Sequence, residues 1–477
     1  MEKFDDKKQL PEHMTKGGPG DMFLGGGKVD TSKWFKQTPI GPFEEQIKDQ
    51  DIWFCATPFQ MLYSDVLGDY APCSWATPFD ANIRDTSLSD WFEKDPKLNQ
   101  LREEMITPGS DLTLTKKTCA ACMKQEKLYG RSRRQASMKI QTNGGRFWPL
   151  LRKAVERFKA DGQGHIKDRI FEVQLKAFGN QCNLDCYMCM PYDSTTRIKS
   201  MDSIELETQK VFNINALING ELTKLNPIKN KSLDDVIDQI TEMAPYIFNL
   251  KLIGGEPLVM KQFYKLLDAI VATGHAEHIQ VKYQTNMSVL SHSKYNIINY
   301  LDKFAKFEFT VSLDGTGEAN NYIRRKSDWE QILNNIKVIS KYPKAHVCVN
   351  GAISFLSIMR FHELIKWFDD NSKDTFDQIN WSMIRSPEKL GANVLPEAIK
   401  KKLIPKYANY PDIQNILKES NHGLDYQDTL DYLLMNDKYY KGTKWEMNLF
   451  DVFPELEEYH IPQDEKTDYE LIGSSNE

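Results

Sequence analysis

A chain of 477 residues is too long for one ordinary core, and its 40% apolar and 27% charged residues are those of a soluble globular protein of two or three domains. A formal charge of −6 argues against a broad nucleic-acid footprint, which needs a basic face. Mean hydropathy is −0.54, no apolar run approaches the ~18 residues of a membrane helix, and the opening MEKFDDKKQL lacks the apolar stretch of a secretory signal; a cytoplasmic location is expected.

Residues 1–50 read as a flexible leader. The segment KGGPGDMFLGGGK is glycine-rich without apolar periodicity, and its GGGK is no phosphate loop, because Met22 and Val29 occupy the places that need Gly and Ser or Thr. Residues 51–140 hold four cysteines in short segments, and the basic YGRSRRQ (129–135) reads as a solvated face. Residues 141–165 read as a linker helix. The texture then changes. IFEVQLKAF alternates Phe171, Val173 and Leu175 with Glu172, Gln174 and Lys176, the period of a half-covered strand.

Strands and helices now take turns. SLDDVIDQITEMA (232–244) has a Ser cap and helical spacing of Val236, Ile237, Ile240 and Met243. YIFNLKLIGG is a strand, KQFYKLLDAIVATG a helix ending at Gly274, and IQVKYQTN a strand. SKYNIINYLDKFA reads as a helix, FEFTVSLDG as a strand and SDWEQILNNIKVISK as a helix. HVCVNGAIS is a strand, FHELIKWFDDN a helix and FDQINWSMI the last strand. Six strands with helices between them predict an α/β fold over 166–385, a parallel sheet curled into an open partial (β/α)6 barrel. Residues 386–477 form a mostly helical C-terminal extension with an acidic end.

In such folds the working groups lie on the loops after the strands. Five short signatures fall there: GNQCNLDCYMC, GGEP, QTN, SLDG and SMIR; a sixth, VNG, lies within its strand. Asn350, Trp381 and Arg385 are candidates to line the same mouth. HAEH (275–278) sits in a helix-to-strand turn away from it and reads as ordinary surface histidines.

The first signature concentrates cysteine. Cys182, Cys186 and Cys189 are spaced C-x3-C-x2-C in a chain with eight cysteines in all. A leaderless chain is not expected to build a disulfide framework. A structural zinc site asks for four ligands, usually in closed pairs. Three thiolates in one loop with no nearby histidine suit a 4Fe–4S cluster with one iron left open.

This pattern resembles the radical S-adenosylmethionine (radical SAM) superfamily over roughly 166–385. The resemblance implies that the open iron chelates S-adenosyl-L-methionine and that one electron cleaves it to a 5′-deoxyadenosyl radical, which takes a hydrogen atom from a substrate. Gly254, Gly255, Glu256 and Pro257 match the family's GGEP, which engages the methionine ammonium. Ser312 and Asp314 match the strand end that meets the ribose hydroxyls or the methionine carboxylate. Arg324, twelve residues after Ser312, stands where related enzymes place a carboxylate-binding Arg. Asn286 falls where the family often has T-N-G, with Met287 in place of the glycine. Met188 fills the apolar position beside the adenine.

Cys55, Cys73, Cys119 and Cys122 form a second set, enough to close a tetrahedral site, whereas Cys348 reads as a buried small residue. FCATPFQMLYSDVLGDYAPCSWA, with Gly68, Pro72 and Cys73, resembles the first half of SPASM and twitch modules. LSDWFEKDPKLNQLREEM resembles their following helix, and CAAC the closing pair. The resemblance implies an auxiliary 4Fe–4S cluster; zinc is the alternative. The module here precedes the barrel, whereas the family usually places it after.

The implied enzyme would oxidise or crosslink a peptide or protein side chain and take electrons from a donor such as flavodoxin or ferredoxin. A small-molecule substrate and a non-catalytic metal-binding scaffold are the alternatives. Intact Cys182, Cys186, Cys189 and Glu256 argue against the scaffold.

Overall fold

Two short runs, β1 (Met61–Ser64) and β2 (Tyr70–Ala71), form an antiparallel hairpin, and Gly68 supplies the left-handed backbone (φ 85) that its turn requires. The barrel strands follow. They are β3 (Glu172–Leu175), β4 (Asn249–Leu252) and β5 (Gln280–Thr285), then, after a small hairpin of β6 (Ser291–His292) and β7 (Tyr295–Asn296), β8 (Lys306–Ser312), β9 (Ala345–Ile353) and β10 (Gln378–Met383). The computed structural model describes residues 53–129, 132–142, 148–168, 172–203, 233–372, 375–384 and 387–461. The leader, Gly130 and Arg131 of the basic cluster, the Ser232 cap and Arg385 lie outside them.

The six barrel strands are all parallel and run in the order β10-β9-β8-β5-β4-β3, an open partial barrel. The sheet does not stop at β3. β1 pairs with it in parallel, Leu62 opposite Val173, so the cysteine-rich segment extends the barrel's own sheet to eight strands.

One face of the strands is apolar. Val173, Leu175, Leu250, Val281, Phe307, Phe309, Val347 and Val349 join one continuous core with the helices Leu233–Met243, Lys261–Ala272, Trp329–Ile339 and Ser357–Asn371. The helix Lys261–Ala272 buries Phe263, Leu266, Leu267 and Ile270, each contributing about 1.5–3 kcal/mol, and the chain turns off it at Gly274 with φ 76.

Three sequence expectations need correction. The segment 293–305 is not one helix: Ser293 is left-handed (φ 56) in the β6–β7 turn, and Asn296 then caps a short 3-10 turn, Ile297–Tyr300. Its apolar spacing serves the core instead, burying Ile297, Leu301 and Phe304. The helix expected after Cys73 is two, Leu88–Lys94 and Pro96–Ile106. Pro96 cannot continue a helix, and Asp95 caps the second by accepting from the Leu98 N–H at 2.8 Å. Trp381 does not face the mouth: it packs on Phe361 of a covering helix and donates to Asp412 at 2.8 Å. An additional short helix, Gly317–Ile323, follows β8 and places Arg324 at its C-cap.

Candidate cluster and cofactor site

The cysteine loop leaves β3 and is held by backbone bonds to distant segments. Asp185 N–H donates to the Arg325 carbonyl at 2.9 Å and Tyr187 N–H to the Ile323 carbonyl at 3.2 Å. Cys189 N–H donates to the Cys186 carbonyl at 3.0 Å, which folds the last two cysteines into one turn. Their thiols share a hydrogen bond that lowers the pKa of Cys186 and raises that of Cys189. Cys182 is pushed up to about 12, by burial first and then by Cys186 and Glu256. The loop therefore brings all three thiols into one electrostatic neighbourhood.

GGEP packs directly against this loop. Gly254 and Gly255 are needed for that contact: a β-carbon on Gly255 would lie 2.3 Å from the Asn180 carbonyl oxygen and 2.4 Å from that of Gln181. Glu256 N–H donates to the Gln181 carbonyl at 2.8 Å, and Pro257 starts the 3-10 turn Pro257–Val259. Glu256 is buried. Its Oε1 accepts from Leu258 N–H at 3.0 Å and Thr285 Oγ1 at 2.6 Å, and its Oε2 from Asn286 N–H at 2.6 Å. The carboxylate thus ties the ends of β4 and β5 together, with Oε2 accepting one bond and Oε1 two.

Asn286 donates to Asn183 of the cysteine loop at 3.1 Å. Met287, in the position where a glycine was expected, adopts φ 54 and is fully buried. The backbone thus keeps a glycine-like turn at a cost of about 1–2 kcal/mol. Met287→Gly would relieve that strain but remove a buried side chain, a loss of about 2–5 kcal/mol. A net fall in stability is expected, read as a lower urea midpoint at unchanged slope.

Ser312 ends β8 and is buried. Asp314 follows: its Oδ1 accepts from Ala352 N–H at 2.7 Å, and its Oδ2 lies 2.8 Å from Arg324 Nε. Both Oδ2 and Nε are buried without a well-directed hydrogen bond. Arg324 Nη1 lies 3.7 Å from Cys186 Sγ. Burial works against the Arg324 charge, but Asp314 and the cysteine thiols more than offset it, so the guanidinium stays cationic. A cation with spare donor capacity beside the cysteine turn, within a patch of under-satisfied polar atoms, is a chemically suitable receiver for a carboxylate or a thiolate-bound anion. Met188 is half-buried in the same loop.

The other face of the strands is polar. Gln174, Lys251, Lys282 and Glu308 are register neighbours across β3, β4, β5 and β8. Lys282 Nζ is 4.0 Å from Glu308 Oε1, beyond hydrogen-bond reach. Gln174 Oε1 and Glu308 Oε2 are buried without partners. Cys348 and Asn350 of β9 share this face, and Cys348 is buried as expected. Burial depresses Lys251 to about 8, against the pull of Glu172. A lysine whose folded pKa lies below its unfolded value opposes folding at low pH, and the penalty fades as pH rises from about 8 toward the unfolded value. Lys251→Met should therefore be more stable than the native chain at pH 7, with the gap closing by pH 10. Its upper bound is about 3 kcal/mol, reduced by the solvent that reaches this partly exposed side chain. Chemical denaturation at both pH values measures it.

Sequence reasoning missed a buried cluster behind the cysteine turn. Arg197, wholly buried, donates through Nε to the Cys189 carbonyl at 3.2 Å and through Nη1 to Asp185 at 3.3 Å and Asn436 Oδ1 at 2.7 Å. It also bonds the Tyr432 hydroxyl, which donates to the Tyr187 carbonyl at 2.7 Å. Tyr440 donates to Asp185 Oδ2, and Arg325 pairs with Asp437 at 2.5 Å. Asp185 falls between two of the spaced cysteines, but its partner Tyr440 lies 255 residues away, so no local signal links them.

The N-terminal thiols also gather. Burial, then Cys73 and Cys122, pushes Cys55 up to about 11 against its hydrogen bond to Thr57. Cys119 is raised by burial and then by Cys55, Cys73 and Cys122. Cys55 precedes the β1–β2 hairpin and Cys73 follows it. Among the described residues no three Cys, His, Asp or Glu side chains converge as ligands of a single ion. All eight cysteines are free thiols.

With this geometry in view, comparison with known proteins is informative for the barrel. Residues 177–356 match the family described as the Radical SAM superfamily, and these residues run from just after β3 to just beyond β9. No curated protein matches the chain. Among solved structures, SuiB of Streptococcus suis, in a crystal structure bound to S-adenosylmethionine, is 15% identical, with 77% of this chain and 69% of that chain covered and a TM-score of 0.30. Residues 177–356 thus match the Radical SAM superfamily and lie in a mostly parallel, open α/β sheet. No helix among the described residues is long and apolar enough to cross a membrane.

Proposed function

We propose that this chain is a radical SAM enzyme that holds a 4Fe–4S cluster on Cys182, Cys186 and Cys189 and removes a hydrogen atom from a substrate in the barrel. The carrying observation is the gathering of three thiols in one loop that the GGEP segment, Asn286 and Arg324 all touch. Held there by Cys182, Cys186 and Cys189, a cluster would supply one-electron reductive cleavage of S-adenosylmethionine to methionine and a 5′-deoxyadenosyl radical, which would leave as 5′-deoxyadenosine on taking a substrate hydrogen, with the electron drawn from a low-potential donor of the flavodoxin or ferredoxin class.

This chain's own residues orient and shield. Gly255 lets the β4 loop close on the cysteine loop, and Glu256 locks the β4 and β5 ends. Arg324, backed by Asp314, offers a cation to the methionine carboxylate, and Ser312 and Asn286 offer polar groups at the mouth. Met188 supplies apolar cover for the adenine. The polar inner face, with Lys251, Lys282 and Glu308, suits a polar substrate; a peptide or protein side chain is the first choice and a charged small molecule the second. Cytoplasmic location fits eight unpaired thiols.

Cys55, Cys73, Cys119 and Cys122 we assign to an auxiliary 4Fe–4S cluster, in a module spanning 51–140 that takes an electron from the substrate radical or helps hold the substrate. Cys55 and Cys73 flank the β1–β2 hairpin, and Thr77 N–H donates to the Thr118 carbonyl at 3.1 Å, bringing the turn after Cys73 beside Cys119, which supports a shared site. Anaerobic reconstitution should give roughly eight iron atoms per chain, falling to about four in Cys73→Ser/Cys119→Ser. Four irons together with zinc in the native chain would remove the auxiliary cluster from the proposal. The decisive assay is formation of 5′-deoxyadenosine from S-adenosylmethionine by the reconstituted, dithionite-reduced protein. No product above a protein-free control would overturn the enzymatic reading.

A further inference from the structure

The helix Tyr426–Tyr440 belongs to the C-terminal extension, beyond the segment that matches the superfamily. It nevertheless ends up against the cysteine loop. Tyr432 donates to the Tyr187 carbonyl, and its hydroxyl also meets Arg197; Asn436 accepts from Arg197; Tyr440 donates to Asp185. Arg197 in turn donates to the carbonyl of Cys189 itself. The cysteine loop has no helical or strand ladder from Cys182 to Met190, so these long-range bonds occupy its polar groups in place of one.

We infer that the helix Tyr426–Tyr440 is a positioning element for the cysteine loop: Tyr432 sets the Tyr187 carbonyl directly, Tyr432 and Asn436 hold the buried Arg197 that sets the Cys189 carbonyl, and Tyr440 fixes Asp185. The cluster-holding consequence rests on the proposed function; the loop-ordering consequence does not. Groups just behind metal ligands fix ligand orientation and tune the centre's reduction potential. The hub is also self-balanced: the Arg197 guanidinium faces the Asp185 carboxyl at 3.3 Å, and both side chains are shielded from bulk solvent when the helix is seated.

The test keeps the whole chain and removes only hydroxyl groups. Tyr432→Phe and Tyr440→Phe retain ring packing, and Leu430→Val, in the same helix, removes a buried methylene without touching the hub. Amide hydrogen exchange over residues 182–190 is measured in the cluster-free protein, and the iron-loss rate and reduced-cluster electron paramagnetic resonance are measured after reconstitution. Each Phe variant is expected to exchange about two- to tenfold faster across the loop than Leu430→Val matched for global stability. Each should also lose iron faster and shift the resonance pattern. Exchange no faster than in the Leu430→Val control would overturn the inference, because the helix would then act only by packing. If the native chain takes no iron on this loop, the proposed function fails while the exchange comparison still decides the positioning role.

Discussion

Cys186→Ala is expected to yield a folded protein that binds no cluster on the barrel loop and forms no 5′-deoxyadenosine above the protein-free control. Cys186 lies between the other two cysteines in sequence and is buried, its sulfur 3.7 Å from Arg324 Nη1. Two thiolates alone cannot hold three corners of an iron–sulfur cube, so the loss of one sulfur is the loss of the site rather than a weakening of it. Deleting a single sulfur atom removes little packing, so the thermal midpoint of the cluster-free protein should move by only a few degrees. The matched control is Cys348→Ala, which deletes another buried thiol in the same barrel but away from the loop. That variant should keep its iron and its product. Iron and sulfide content, visible absorbance and product analysis read both. Equal product from Cys186→Ala and the native chain would end the cluster assignment.

Asp314→Ala is expected to be the most damaging change outside the thiols. Asp314 is fully buried, accepts from Ala352 N–H at 2.7 Å and faces Arg324 Nε at 2.8 Å. Its removal leaves a guanidinium with little access to water, an unpaired amide and a small void. Breaking a buried pair on one side costs about 3–5 kcal/mol. Arg324 also loses what holds it toward Cys186, so affinity for S-adenosylmethionine should fall along with stability. Asp314→Asn keeps the acceptor for Ala352 and the volume, and should recover part of the stability without restoring the charge. Denaturant titration and equilibrium binding separate the two effects. Unchanged stability in Asp314→Ala would show that the pair is not structurally important.

The opposite behaviour of two segments shows what pattern reading can reach. The barrel strands were legible because a two-residue period with apolar ends is a local property, and the helices between them carry their own caps and spacing. Residues 293–305 have helical spacing too, yet fold as a hairpin and a short turn, because Ser293 in the left-handed region and the Asn296 cap decide the backbone there. Trp381 faces the covering helices rather than the mouth for a related reason. A strand's alternation says that neighbours diverge, not which set meets the helices.

Residue order alone determined the spacing of Cys182, Cys186 and Cys189 on one short loop, and the placing of GGEP, Asn286, Ser312 and Asp314 at successive strand ends. These follow from short-range geometry, since a loop of eight residues cannot separate its own thiols far and parallel strands present their ends on one side. Only the tertiary structure decided that Glu256 is occupied in tying β4 to β5, that Arg324 pairs with Asp314 beside Cys186, that β1 enlarges the barrel sheet, and that a helix some 240 residues downstream grips the cysteine turn. Each of these is a contact between segments far apart in the chain, chosen by the need to satisfy buried charges and polar groups, and no local period encodes such a choice.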